Sequence, residues 1–286
     1  MTFDHSRFET SLATLGVAIC PDAALLAVVP AHLHLVETAT STNQVAWERL
    51  QQEDEQPDVP DVPDVPDVPD VIVIALQQTA GRGQRGHQWS SPLGGLYLSL
   101  GFTPNIPVDC GPHLTLCSAW GIAAALRQQG IPVGIKWLND LVFEGRKLGG
   151  ILTETRISQQ RLRQAVIGVG INWQNPVPPS GINLQSILSR SDSPMQSPVQ
   201  SLEELAAVTI AGLLRGYSTY CQQGIDALMV NYQSLLINLG QAVTIDGRRG
   251  TVIGVSPHGA LQVELTSTGP STQIWVKPGE LSLGYG

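Results

Sequence analysis

The stretch ALQQTAGRGQRGHQWSSP, residues 75–92, sets Gly81, Gly83 and Gly86 in a G-x-G-x-x-G spacing directly after the apolar, β-branched run VIVIALQQ. The run suits a buried strand. A strand leading into such glycines admits three readings: a dinucleotide-binding unit, a phosphate loop or a plain turn. A dinucleotide fold requires a helix immediately after the third glycine, so that the pyrophosphate meets its N-terminus, and an acidic residue at a strand end about 20 residues on. Here Gly86 is followed by His87, Gln88, Trp89, Ser90, Ser91 and Pro92, where no helix can start. A Walker loop fails as well, because His87 stands where lysine is needed. The stretch therefore reads as a long loop whose backbone N–H groups and two guanidiniums, Arg82 and Arg85, suit a carboxylate or a phosphate. A surface turn with solvated arginines is the plainer alternative.

Lysine placement bears on that choice. The chain has three lysines, and two of them, Lys136 and Lys147, fall in KWLNDLVFEGRKLGGIL. With Asn139, Asp140 and the Gly149–Gly150 pair, this is a second polar, glycine-marked segment framed by strands. A cation on a strand beside a glycine pair suits close approach by an anionic ligand. Two such segments point to phosphate or anhydride chemistry.

The formal charge of −8 does not describe the whole chain. Residues 53–70, built on the repeat PDVPDVPDVPDVPD, carry eight carboxylates and no Lys or Arg, which leaves sixteen acidic and sixteen basic residues elsewhere. A general basic face for nucleic acid is not expected. Proline at every third position forbids helix and interior strand, so the repeat is expected to be an extended, solvated insertion, with a docking peptide as the alternative, and deleting residues 57–70 is expected to leave activity intact. Cys20, Cys110, Cys117 and Cys221 show no metal spacing and are expected to be buried free thiols of a reducing, cytoplasmic setting. The N-terminus has no signal-peptide pattern, and no stretch approaches the roughly 20 apolar residues of a membrane span.

The remaining patterns give an α/β architecture with a small all-β unit. Residues 1–32 read as an arm with one helix and an extended piece. HLHLVETATSTNQVAWERLQQ reads as strand, turn and helix, with Thr40, Ser41, Thr42 and Asn43 at the helix cap. LYLSLGF is a strand, and HLTLCSAWGIAAALRQQG is a helix ending at Gly130. VGIKWLND, LVFEGRKLGGILTET and QAVIGVGINW add strands joined partly by hairpins. Ser201 and Glu204 form a capping box that opens a helix, and IDALMVNYQSLL adds a second. From Gly240, five short strands separated by DG, PHG, STGP and KPG turns form a β-barrel or sandwich. The expected division is an arm at 1–32, a main domain at 33–237 and a C-terminal domain at 238–286.

STNQ, QQTAGRGQRGHQW, KWLNDLVFEGRKLGGIL and GVGINW occur in the order and spacing of biotin–protein ligases, which the chain resembles over roughly residues 33–286. The resemblance implies an α/β (α+β) catalytic domain related to class II aminoacyl-tRNA synthetases, a mixed sheet with flanking helices, followed by an SH3-like β-barrel. It implies that biotin and ATP form biotinyl-5′-adenylate, and that biotin then passes to a lysine of the biotin carboxyl carrier protein of acetyl-CoA carboxylase. Mg²⁺ is expected to arrive with ATP rather than at a protein metal site.

By the same resemblance Ser41, Thr42, Asn43 and Gln78 face the ureido ring, with Gly83, Gln84, Gly149 and Gly150 also along biotin. Arg82, Gly83 and Lys147 hold the carboxylate and α-phosphate. Lys136 adds charge, and Asp140 orients a lysine or helps place Mg²⁺. Arg85, Trp89, Asn139 and Asn172 serve the nucleotide. The chain departs from the family at Gln84 and His87, where basic residues are common, and at Leu138, where proline is usual. The arm is too short for the helix-turn-helix by which some relatives act as repressors, so an enzyme without DNA binding, a monomer or weak homodimer, is expected. A lipoate or octanoate ligase and a non-catalytic biotin-sensing repressor are the alternatives.

Overall fold

The computed structural model describes residues 2–54, 69–189, 197–266, 272–281 and 283–284. Most of the Pro-Asp-Val repeat lies outside the described residues.

The arm is more helical than its sequence pattern suggests. Helix α1 (His5–Ser11) runs through a π turn (Leu12–Gly16) into α2 (Val17–Ile19), and α3 (Ala23–Val28) follows. Asp4 and Asp22 cap α1 and α3 through their carboxylates, which accept from Arg7 N and from Ala24 N and Leu25 N. Phe8, Leu12 and Ile19 are buried in the main core, which pins segments too short to be helical alone.

The main sheet is formed by β1 (Leu33–Ala39), β2 (Val71–Gln78), β3 (Gly95–Phe102), β4 (Ile106–Pro107), β5 (Gly134–Lys136), β6 (Asp140–Phe143), β7 (Arg146–Ser158) and β8 (Arg161–Asn172). Its order is β1-β2-β3-β8-β7-β6-β5, with β4 pairing β8 beside this path. The β1–β2 pair is parallel and the other pairs are antiparallel. The parallel pair needs a crossover, which α4 (Thr42–Asp54) supplies.

The unbroken apolar character of β2 follows from cover on both faces. Val71 and Val73 pack with Ala46 and Leu50 of α4, whereas Ile72, Ile74 and Leu76 join the large core. That second face is covered by α5 (Gly111–Gln128) and, beyond the short α6 (Leu184–Leu188), by α7 (Leu202–Ser234). Gly130 ends α5 with φ +80°. Ser201 Oγ accepts from Glu204 N at 3.2 Å, opening α7. The second helix expected near residue 225 is continuous with α7 except for a break at Gly224, whose φ is +79°.

Gly121 of α5 and Gly212 and Gly216 of α7 form the seam between these helices. A Cβ on Gly121 would lie 2.9 Å from Gly216 Cα. At the C-terminus, β9 (Ala242–Ile245), β10 (Arg248–Val255), β11 (Leu261–Leu265) and β12 (Thr272–Val276) form an antiparallel sheet in the order β12-β11-β10-β9. Among the described residues this is four strands rather than five, because KPGELSL makes a turn closed by a Pro278–Leu281 bridge. The sheet is tied to the main body: Trp137 Nε1 donates to Gly259 O at 2.9 Å, and Asn238 Oδ1 accepts from Trp137 N at 2.7 Å.

The thiols are not uniformly buried. Cys20 and Cys117 are, but Cys110 is half-buried in the turn before α5 and Cys221 is exposed. Burial holds the Cys117 thiol up, to about 12.

Candidate active site

The β1–α4 junction, the end of β2 and the strands β7 and β8 converge on a cavity of about 300 Å³. Thr42 and Asn43, expected at the cap of α4, turn their side chains into this cavity. Thr42 N donates to Gln78 Oε1 at 2.8 Å, and Gln78 Nε2 donates to Ser91 Oγ at 2.7 Å. Ser99 Oγ lies 2.6 Å from Asn43 Oδ1 and 2.7 Å from Thr42 Oγ1. The amide oxygen can only accept, so Ser99 donates to Asn43 and accepts from Thr42. The buried Ser41, Thr42 and Asn43 and the half-buried Gln78 thus form a neutral floor, in which Thr42, Asn43 and Gln78 are joined by hydrogen bonds. Gly168 is what admits Asn43, since a Cβ there would collide with its amide oxygen.

The glycine loop crosses one side. It is drawn into a hairpin-like turn by the Arg82–Gln88 bridge and by Gly83 N donating to His87 O at 2.7 Å. No helix follows Gly86, in keeping with the exclusion of a dinucleotide fold; residues Gln84–Gly86 make one 3₁₀ turn, in which Arg85 has φ +57°. Arg82, Gly83, Gln84, Arg85, His87 and Trp89 all line the cavity. Arg82 Nη2 pairs with Glu154 Oε2 at 2.9 Å.

Opposite the loop, the β5–β6–β7 meander carries the lysines. Lys147 Nζ lies 2.7 Å from Asp140 Oδ1 and 5.3 Å from the centroid of the Trp89 ring. Lys136 is 8 % exposed, and burial pushes its ammonium below the ordinary lysine range; Asp140 opposes that shift and Lys147 reinforces it. Gly150 faces the cavity between Asp140 and Lys147. Ile151, Leu152, Val169 and Trp137 supply apolar wall.

Two expected residues stand elsewhere. Asn172 is buried and does not line the cavity; its Nδ2 donates to Ile182 O at 3.2 Å and its Oδ1 accepts from Asn175 Nδ2 at 2.9 Å, so it braces a loop. Gly149 likewise does not line the cavity; it sits in the β7–β8 pairing, where a Cβ would meet Gly170 O at 2.7 Å. Asn139 does line it, but its Nδ2 donates to Ile151 O at 2.5 Å, which makes its amide a brace for β7. The Trp137–Leu138 peptide bond, at the departure from the usual proline, is cis.

The structure also adds residues. Besides the Tyr97 hydroxyl, Ser99 is the polar group of the apolar strand β3, and its full burial marks it. Glu154 lies on the Gly150 face of β7 by strand alternation, although it is four residues away. Gly170 makes room for Trp89 against β8: a Cβ there would be 2.5 Å from Trp89 Nε1. That indole nitrogen is buried and has no hydrogen-bond partner among the described residues. From the C-terminal part, Pro278, Leu281 and Leu283 reach the cavity, and a Cβ on Gly279 would lie 3.1 Å from Arg85 Nε.

Residues 35–172 match the family model described as the biotin/lipoate A/B protein ligase family. The matched stretch includes the polar floor, the glycine loop and both cavity lysines. The bifunctional ligase/repressor BirA of Bacillus subtilis (strain 168) is 30 % identical over 199 residues, 68 % of this chain and 61 % of that protein. The chain thus spans about six-tenths of the length of such curated relatives. The biotin–[acetyl-CoA-carboxylase] ligase of Paracoccus denitrificans is 35 % identical over 86 residues, 29 % of this chain and 36 % of that one. Among solved structures, the biotin protein ligase of Aquifex aeolicus in complex with biotin and ATP aligns with a TM-score of 0.64 at 23 % identity, over 88 % of this chain and 97 % of that one. At that identity the likeness is one of fold.

Proposed function

We propose that the chain is a biotin–protein ligase that activates biotin with ATP and transfers it to a lysine of the biotin carboxyl carrier protein of acetyl-CoA carboxylase. One observation carries this reading: a single cavity joins a neutral hydrogen-bonding floor to a rim bearing Arg82, Lys136 and Lys147. The floor suits a ureido ring, the apolar walls suit an aliphatic chain, and the cations suit a carboxylate beside a phosphate. Its volume falls at the small end of ligand pockets.

In the first step a carboxylate oxygen of biotin attacks the α-phosphorus of ATP, and the bond to the β-phosphate oxygen breaks to release pyrophosphate. Two anions must meet, and Arg82 and Lys147 offset their repulsion as well as the charge that builds during transfer. Asp140 fixes the Lys147 ammonium. Trp89 offers a ring face to the adenylate. In the second step a carrier lysine amine attacks the anhydride carbonyl, loses its proton and expels AMP. Among the described residues no group of three or more His, Cys, Asp or Glu is placed to hold a metal, and Asp140, the one carboxylate on the described cavity wall, is engaged with Lys147. In this reading Mg²⁺ enters with the nucleotide substrate.

No helix of the described residues is long and apolar enough to cross a membrane. We place the ligase in the cytoplasm, acting without DNA as a monomer or weak homodimer, with the arm, ligase domain and C-terminal domain divided near residues 32 and 237. Exchange of labelled pyrophosphate into ATP tests the reading: it should require biotin and ignore lipoate. Exchange with lipoate but not biotin would assign the other branch of the family. Salt-sensitive binding to an operator sequence would assign a repressor.

A further inference from the structure

The Glu154 carboxylate is shared between the two halves of the cavity. Its Oε2 accepts from Arg82 Nη2 at 2.9 Å and from Asn43 Nδ2 at 2.7 Å. On one side, Asn43 belongs to the fixed floor: it is 3 % exposed and its amide oxygen is held by the fully buried Ser99. On the other, Arg82 sits in a loop whose three glycines leave the backbone many alternatives, so ordering its side chain carries an entropic cost. The Arg82 and Glu154 side chains are 46 % and 27 % exposed. At that exposure their attraction adds little to stability, and its consequence is where the guanidinium lies. The remaining donors of the Arg82 fork have no hydrogen-bond partner among the described residues, so Glu154 grips one nitrogen and leaves the others for a ligand.

We infer that Glu154 is a positioning residue: it couples the floor to the glycine loop, holding Arg82 above the cavity in a place set by Asn43. This rests on the ligase reading for the identity of the ligand acid, but the geometry does not depend on it. Neither segment that marks the site by its glycines contains Glu154. Its place comes from strand alternation along β7, which aims it at Asn43 across the sheet.

The test compares Glu154→Ala and Glu154→Gln in the full chain by two readouts. The first is biotin-dependent pyrophosphate exchange. For Glu154→Ala the KM for biotin should rise about tenfold while kcat changes by less than about threefold, the pattern of a lost ground-state contact. Glu154→Gln, whose amide oxygen can still accept from Arg82 and Asn43, should restore most of that KM. The second readout is limited trypsin digestion without ligand, in which cleavage after Arg82 should be faster in Glu154→Ala and near the wild-type rate in Glu154→Gln. Unchanged KM and digestion in Glu154→Ala, a loss confined to kcat, or equal behaviour of the two variants would each overturn the inference. Wild-type protein that performs no biotin-dependent exchange would refute the ligase reading instead, and the digestion comparison would still decide the role of Glu154.

Discussion

Lys147 Nζ and Asp140 Oδ1 lie 2.7 Å apart on neighbouring strands, with the lysine also 5.3 Å from the Trp89 ring centroid. Carboxylate and ring between them fix an ammonium at the end of a flexible stem. Asp140→Ala should leave Lys147 misplaced, and a displacement of about 1 Å near reacting groups costs up to about a hundredfold in rate. We expect kcat for pyrophosphate exchange to fall between about tenfold and a hundredfold at saturating biotin and ATP, with the melting temperature little changed. An unchanged kcat would remove Asp140 from the positioning of Lys147.

Lys136 should show a conflict between stability and function. Its folded pKa is lowered by burial, so the unfolded chain binds its proton more readily. Stability from this group therefore rises with pH between the folded value and about 10.5, and the cost of the buried charge is fully present below the folded value. Lys136→Met should melt no lower than wild type at pH 7 and yet form adenylate more slowly. A lower melting temperature with normal adenylation would reverse both assignments.

His113, in the first turn of α5, gives a sign in the acid range. Its Nδ1 lies 2.9 Å from Tyr220 Oη, its Nε2 is buried without a partner among the described residues, and the His258 ring stacks on it with centroids 6.3 Å apart. Burial first, and His258 second, lower its pKa. The stability it permits is present above about pH 6.5 and is lost as pH falls through the lower folded value, because the unfolded state takes up its proton first. Urea midpoints measured against pH should therefore fall below about 6.5 in wild type and fall less steeply in His113→Phe.

The α5–α7 seam depends on small residues. Gly121→Val would force side-chain atoms into Gly212 and Gly216, and backbone cannot move aside as a flexible side chain can. Overpacking of this kind costs about 1–3 kcal/mol or more, readable as a lowered urea midpoint at unchanged slope. A midpoint equal to wild type would mean that the two helices separate at little cost.

Much of this fold can be read from local pattern. VIVIALQQ announces a strand covered on both faces, and Gly130 and the Ser201–Glu204 pair mark helix ends through turn and capping chemistry. The site is legible where glycine and charge occur together, as in the loop around Arg82 and the lysine segment. It is not legible where a residue acts through tertiary pairing. Glu154 reads as one polar residue of a half-exposed strand until the fold brings it within reach of Asn43. Asn172 looks like a site residue from its motif, yet the loop at Ile182 takes up its amide. The arm reads as half extended because its short helices draw stability from packing on α7 rather than from their own composition.

The most direct measurement is mass spectrometry of the unmodified carrier protein after incubation with this chain, biotin and Mg·ATP. The account predicts one biotin in amide linkage on one lysine, AMP as the nucleotide product, and loss of most of the modification with Arg82→Ala. Carrier left unmodified by wild-type chain, or modified equally well by Arg82→Ala, would contradict it.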